Sequence, residues 1–393
     1  MDRRSFLRSM GLGIGASALV GASPLNPLDS RPASEPSPEP TPEPTRTSTA
    51  EPTTEAPPEH YRWTRDSYGT VRGLVTDDPG DELYVSIGST VSRLDAASGD
   101  VDWQTESEQT IEAPVALGES TAFAVGDEGR LLSIARSSGD RNWFEDVYVY
   151  RAAQPHVYDG TVVVLGQRVH GFDAASGDHQ WESEQTFTTP GALRDGDALY
   201  VGSGRTFAKL DLADGSTVWE WDDRDHFDMP NAGFRLDDDR GLLYATYNGT
   251  LFAVETETGD VDWQADGNYV HALDVYGDYL LTVTETDADN TKFSAIDLRE
   301  PEVTYEQIAP LDVDGWSYGR VTTSLAAYDS YAVAGTETGH LVALDAATGR
   351  LVGATAVAEG PLAGLHVDGD AAFVSGSGFL RSVDLETAGL TDD

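Results

Sequence analysis

One phrase recurs eight times along the chain at a spacing near forty residues, and it restricts the fold more than any other feature. The clearest copies are Leu94-Asp95-Ala-Ala-Ser98-Gly99-Asp-Val-Asp-Trp103 and Phe172-Asp173-Ala-Ala-Ser176-Gly177-Asp-His-Gln-Trp181. Others are Leu210-Asp211 to Gly215 and Trp219, Val254-Glu255 to Gly259 and Trp263, and Leu344-Asp345 to Gly349. Looser copies run from Ile134 through Gly139 to Trp143, from Ile296-Asp297 to Tyr305, and at Val383-Asp384. Measured at the Asp or its equivalent (95, 135, 173, 211, 255, 297, 345, 384), the spacings are 40, 38, 38, 44, 42, 48 and 39 residues. A unit this short cannot bury its own apolar face, so the copies must stack as a propeller or a solenoid.

Each part of the phrase has a physical role. Ahead of the Asp stand alternating apolar runs such as Leu83-Tyr-Val-Ser-Ile87 and Ala198-Leu-Tyr-Val-Gly202, which is strand periodicity. The Ser/Thr/Asp-Gly pair makes a tight reversal, with Gly accepting a positive φ at little steric cost. The Trp then falls on the following strand, where its flat ring can cover the next unit. Pro114, Pro155, Pro190, Pro230 and Pro361 recur upstream, at places suited to the first residue of a strand. Four short antiparallel strands per unit are predicted.

The two ends of the array distinguish a ring from an open stack. The last copy, from Val383-Asp384 to Gly389, stops before its Trp-bearing strand, while Tyr61-Arg62-Trp63 stands near the front with no Asp-Gly phrase before it. Pairing residues 60–65 with the last unit completes that unit and hides the edge strands. Seven whole units and one split unit predict an all-β, eight-bladed propeller over residues 60–393. A monomer is expected.

The phrase Leu/Val-Asp-x-x-Ser/Thr-Gly-x-x-x-Trp resembles the repeat of quinoprotein-type (PQQ-like) eight-bladed propellers, over about residues 60–389. That family includes pyrroloquinoline-quinone alcohol dehydrogenases and non-enzymatic relatives, among them the propeller lipoprotein of the outer-membrane barrel-assembly machinery. The resemblance implies the fold and leaves both kinds of function open. PQQ with Ca²⁺ belongs to the dehydrogenase alternative, against which stand the short chain, the compact loops and the absence of an assignable Glu-Asn-Asp calcium set. The adjacent-cysteine disulfide of quinone-dependent alcohol dehydrogenases is missing too, since the chain has no cysteine. The same absence rules out a lipobox anchor, thiolate zinc sites and cysteine nucleophiles.

Charge describes the setting. There are 68 acidic residues against 25 basic ones, for a net charge of −43, and only Lys209 and Lys292 are lysines. Such a charge repels itself in dilute buffer and is screened in dense salt, so the acidic surface reads as adaptation to high salinity. Nucleic-acid binding is disfavoured, because no basic stripe exists to neutralise phosphates.

The front of the chain reads as an address and a spacer. Asp2-Arg3-Arg4-Ser5-Phe6-Leu7-Arg8 matches the twin-arginine pattern, and the apolar run Met10 to Ala22 is too short to span a bilayer. A signal over residues 1–22 is expected, with Val20-Gly-Ala22 as a small-residue cleavage site. Residues 23–59 carry repeated Glu-Pro and Thr-Pro and should form an extended linker. Export by the twin-arginine route and residence outside the cell or at its surface follow. Asn248-Gly-Thr250 is a glycosylation candidate in a predicted turn.

Catalytic motifs are missing. The eight histidines lack metal-ligand spacing, and Asp222 to Asp228, Asp237-Asp-Asp239 and Asp287 to Asn290 do not follow the Ca²⁺-loop pattern. No metal site is expected, and binding to a protein or an extracellular ligand is favoured over catalysis, with a glycan- or ligand-sensing propeller as a further alternative. The places that depart from the repeat are the connections leaving the Trp strand. They carry Tyr150 and Arg151, His226, and Trp316, Tyr318 and Arg320, the last three in the longest connection. In a propeller these connections gather on one face around the central channel, and aromatic and Arg side chains are enriched in binding hot spots.

Overall fold

The computed structural model describes residues 58–390 apart from 67, 148–152, 188–190, 204–205, 223–233, 248–249, 267–269, 286–290, 309–311, 314–315, 318–319 and 329. The signal (1–22) and nearly all of the linker (23–59) therefore lie outside the described residues. The rest is all strand and turn.

Seven four-stranded antiparallel sheets follow one another in strict chain order. Blade 1 is Val71–Thr76, Glu82–Ile87, Thr90–Asp95 and Val101–Glu106. Blade 2 is Ala116–Leu117, Thr121–Val125, Arg130–Ala135 and Arg141–Asp146, and blade 3 is His156–Tyr158, Thr161–Leu165, Val169–Asp173 and His179–Glu182. Blade 4 runs from Gly191–Asp195 to Thr217–Asp222, blade 5 from Phe234–Asp237 to Val261–Asp266, blade 6 from Val270–Tyr276 to Glu302–Ile308, and blade 7 from Ala326–Tyr328 to Leu351–Ala356. Blade 8 has Leu362–Asp368, Ala371–Gly376 and Phe379–Asp384, and its fourth strand is Tyr61–Asp66 from the front of the chain. Tyr61 pairs with Val383 and Asp66 with Phe379. The predicted ring closure is thus made by backbone hydrogen bonds between residues over 300 positions apart. The first strands of neighbouring blades approach one another, including Val71–Thr76 against Leu362–Asp368, so the first strands line the central axis.

The second and third strands of each blade supply the core. Leu83, Val85, Leu94, Leu199, Val201, Leu243, Val254, Ala372 and Val383 are fully buried between sheets. The apolar clusters span neighbouring blades: one joins Trp63, Phe373 and Leu380 of blade 8 to Leu83, Val85 and Leu94 of blade 1. Burial between blades, not within them, holds each sheet in place.

The repeated phrase is the staple between blades. Gly99 N–H donates to Asp95 O (2.8 Å), Ser98 N–H donates to Asp95 Oδ1 (2.7 Å), and Gly99 takes φ +71°. The Trp of the preceding blade lies on the bare face of that Gly. A Cβ on Gly99 would meet the Trp63 ring junction, and Gly139, Gly177 and Gly259 stand likewise against Trp103, Trp143 and Trp219. Each indole N–H then donates to the carbonyl of the residue after the Asp position or its equivalent: Trp63 to Ala96 (2.9 Å), Trp103 to Arg136 (2.8 Å), Trp143 to Ala174 (3.2 Å) and Trp219 to Thr256 (3.2 Å). One side chain so provides buried area and satisfies a carbonyl of its neighbour.

The pattern weakens where the sequence weakens. Copy 297 has Arg299-Glu300-Pro301 in place of the Gly turn, and there Arg299 folds back on Asp297 (Nε to Oδ1, 2.8 Å). Blade 7 has Gly353 where blade 6 carries Tyr305 and the others Trp, and Gly353 lets the backbone of Gly389 and Leu390 pack directly onto the strand.

Candidate functional site

Alternation of strand and turn sends the connections between blades to one face, beside the turns joining second and third strands. On that face the connection into blade 2 runs back along its own blade: Ile111 bridges Gly126, and Asp127 N–H donates to Thr110 O (2.8 Å). The connection into blade 7 repeats this, with Val321 bridging Thr336 and Glu337 N–H donating to Arg320 O (2.8 Å). Arg320 is therefore the counterpart of Thr110. Its Nε donates to Glu337 Oε2 (3.1 Å) and its N–H to Glu337 Oε1 (3.0 Å), and these contacts hold the Glu337 carboxyl below its ordinary range, the backbone donor most of all. Arg320 remains exposed at the rim.

Just before Arg320 stands the one described connection that forms strands of its own, a short hairpin pairing Asp312–Val313 with Trp316–Ser317. Trp316 is so placed on an added hairpin next to Arg320. Tyr150, Arg151, His226 and Tyr318 lie outside the described residues, as does Asn248. The structure brings Trp316 and Arg320 into one connection. It does not describe the remaining expected contacts.

Polar groups on the inner strands were not foreseen from the sequence. Thr76 Oγ1 donates to Asp368 Oδ2 (2.5 Å) and lies 2.9 Å from His366 Nε2, a cluster across the junction of blades 8 and 1. Burial lowers the pKa of His366 and Asp368 partly opposes this. Arg235 Nε donates to Asp274 Oδ1 (3.1 Å) across blades 5 and 6, and burial raises the Asp274 carboxyl in spite of that cation. His156 is lowered to about 4, by burial first and by Arg194 second, and Arg194 stacks on the Tyr158 ring at 5.4 Å. The signal available beforehand was only a charged residue inside a short apolar strand, with nothing to name its partner.

On the face opposite the inter-blade connections Arg136 ties blade 2 to blade 1. Its Nη2 donates to Asp77 Oδ2 (2.7 Å) and Glu82 Oε2 (2.8 Å), its Nε donates to Tyr84 OH (2.9 Å), and its guanidinium lies over the Tyr84 ring. Burial, then the hydrogen bond to Glu82, pushes the Tyr84 hydroxyl up to about 12. Among the described residues no three His, Asp or Glu side chains converge as a metal site. No described helix is long and apolar enough to cross a membrane.

Fold and staples define an eight-bladed propeller of PQQ-like repeats. Residues 87–222 and 202–388 match the family described as outer membrane protein assembly factor BamB, and the chain belongs to that family. Solved structures share the fold at low identity. BamB from Moraxella catarrhalis superposes with TM-score 0.64 at 18% identity, covering 82% of this chain and 98% of that one. The computationally designed Ika8 protein gives 0.65 at 12%, covering 81% and 98%. The quinohemoprotein alcohol dehydrogenase of Comamonas testosteroni gives 0.64 at 14%, covering 84% and 77%. No curated protein sequence matches the chain.

Proposed function

We propose that the protein is an exported binding propeller that acts at the cell surface by holding a protein or extracellular ligand on the face of its inter-blade connections. The observation that carries this reading is the added hairpin at Asp312–Ser317, followed by Arg320 fixed on Glu337. A hairpin added to the repeat on the connection face, bearing Trp and followed by Arg, has the composition of an interface anchor. Membership in a family described as an assembly factor supports binding rather than turnover. The twin-arginine pattern at Arg3-Arg4 supports folded export, and a net charge of −43 supports work in concentrated salt.

A quinoprotein oxidoreductase is the second reading, favoured by the superposition with quinohemoprotein dehydrogenases. The donor set fits it poorly. Among the described inner-strand acids Asp274 bonds to Arg235, Asp368 to Thr76 and Asp237 to Arg240, no three ligating side chains converge, and the sequence has no cysteine. No step through a quinone is derived.

The test is affinity capture of tagged protein from its native cells in molar salt, with wild type beside Trp316→Ala and Arg320→Ala. A near-stoichiometric partner retained by wild type and lost from both variants is the expected result. Equal capture by all three would overturn the assignment to this face.

A further inference from the structure

The staple between blades 3 and 4 keeps its ring contact and lacks its hydrogen bond, and Gly171 brings no side chain opposite the ring. In the strand facing each repeat Trp, the directly opposed residue is Arg93 for Trp103, Ser133 for Trp143, Lys209 for Trp219 and Ala253 for Trp263. Opposite Trp181 it is Gly171. A Cβ there would fall well inside contact distance of Trp181 Cε2 and Nε1, so the indole has settled into the space a side chain would fill. Its position on the next blade has slid accordingly. The ring junction sits over Gly99, Gly139 and Gly259, but over Gly215 it is the benzo edge, with Cζ3 2.8 Å from where a Cβ would stand. Trp181 Nε1 is buried without a hydrogen-bond partner, whereas four other repeat Trp residues donate to the neighbouring blade. An unmet buried donor costs about 1–3 kcal/mol.

Beside Trp181 lies a cavity of about 550 Å³. The cavity opens on the face opposite the inter-blade connections, between the first turn of blade 3 and the Leu212–Asp214 turn of blade 4. Trp181 and Tyr158 give it partly exposed aromatic lining, and Asp159, Gln180 and Asp214 are exposed around it. Thr161 Oγ1 already donates to Gln180 Oε1 (2.9 Å), which turns the amide and fixes its nitrogen as a donor. Asp159 holds φ +40°, a left-handed conformation uncommon outside Gly. No Lys or Arg lines the cavity, the nearest cation named here being Arg194 over the Tyr158 ring, so two carboxylates face an incoming anion.

We propose that this cavity is a saccharide-binding site for a neutral mono- or disaccharide unit. The aromatic lining accepts the C–H face of a pyranose, while two carboxylates accept its hydroxyl protons and an amide donates to its oxygens. The volume suits one or two sugar rings. This site is separate from the connection face, so it stands or falls independently of the partner expected there.

The experiment titrates the full chain, in molar KCl, with maltose, cellobiose, chitobiose and, as the anionic control, glucuronate, read by ligand-observed NMR and Trp fluorescence. At least one neutral disaccharide should bind saturably with a Kd of about 0.1–5 mM. Gly171→Ala places a methyl where the Trp181 ring now lies, so the ring must move and saccharide binding should weaken at least about tenfold. Asp159→Gly removes a rim carboxylate and relieves its backbone conformation, so it should weaken binding in a fold that is no less stable. No saturable response from any disaccharide up to about 50 mM overturns the proposal, as does tighter binding of glucuronate or binding unchanged in both variants.

Discussion

Removing the indole that closes the ring should destabilise the whole propeller, and the magnitude follows from its contacts. Trp63 is 9% exposed, lies over Gly99, faces Phe373 with ring centroids 6.1 Å apart and donates to Ala96 O. Truncating a buried Trp costs about 3–5 kcal/mol, and the Ala96 carbonyl left behind adds roughly 1 kcal/mol unless water reaches it. At about 2.1 cal/mol/K per residue, a ring of about 330 residues has an unfolding entropy near 0.7 kcal/mol/K, so about 4 kcal/mol lowers the melting temperature by about 6 °C. The assay is thermal unfolding of Trp63→Ala followed by circular dichroism in molar KCl, with Trp63→Phe beside it. The Phe variant keeps most of the area and loses only the N–H, so it should fall by about 2 °C or less. A Trp63→Ala protein that melts within about 1 °C of wild type would refute closure through this staple.

Other expectations are equally direct. Arg136→Met leaves Asp77 without this cation and Glu82 with Arg93 alone, which should cost about 1.5–3 kcal/mol in denaturant titration. His156 is neutral in the fold with its pKa lowered to about 4, so protonation favours the unfolded chain. Stability is full above the unfolded value near 6.5 and falls as pH drops towards 4, by about 3 kcal/mol in all, and His156→Phe should remove that slope between the two values. The turn carboxylate of Asp95 is lowered first by the Ser98 N–H and then by its hydroxyl, so its contribution is present above the ordinary carboxylate range and lost as pH falls through the depressed value. Asp95→Asn should flatten the acid limb of the unfolding curve. Gly139→Ala should destabilise by more than an ordinary Gly→Ala change, since φ is +77° and a Cβ would press on Trp103, and guanidinium titration reads the loss.

The blades were legible because each copy of the phrase contains its own reason: Asp95 caps the turn, Gly99 permits it, and Trp103 covers the next one. Ring closure was legible from an orphan Trp63 and an unfinished last copy. What the sequence hid are contacts between residues with no local relation. Thr76 meets His366 only because the ring closes, and Arg235 meets Asp274 only because blades 5 and 6 are neighbours at the axis. The cavity beside Trp181 was hidden for a different reason. Gly171 lies outside the phrase, and its effect is the absence of a Cβ beneath a ring ten residues later. On the connection face, Trp316 and Arg320 were marked by their departure from the repeat, but the hairpin beside them and the pairing with Glu337 needed coordinates.

The claim that this propeller works by binding is tested most directly by equilibrium titration of the folded protein with pyrroloquinoline quinone and Ca²⁺ in molar salt, followed by dye reduction with alcohol and sugar substrates. The account predicts no stoichiometric quinone binding and no dye reduction above the quinone alone. One tightly held quinone per chain, with substrate-dependent dye reduction, would contradict it.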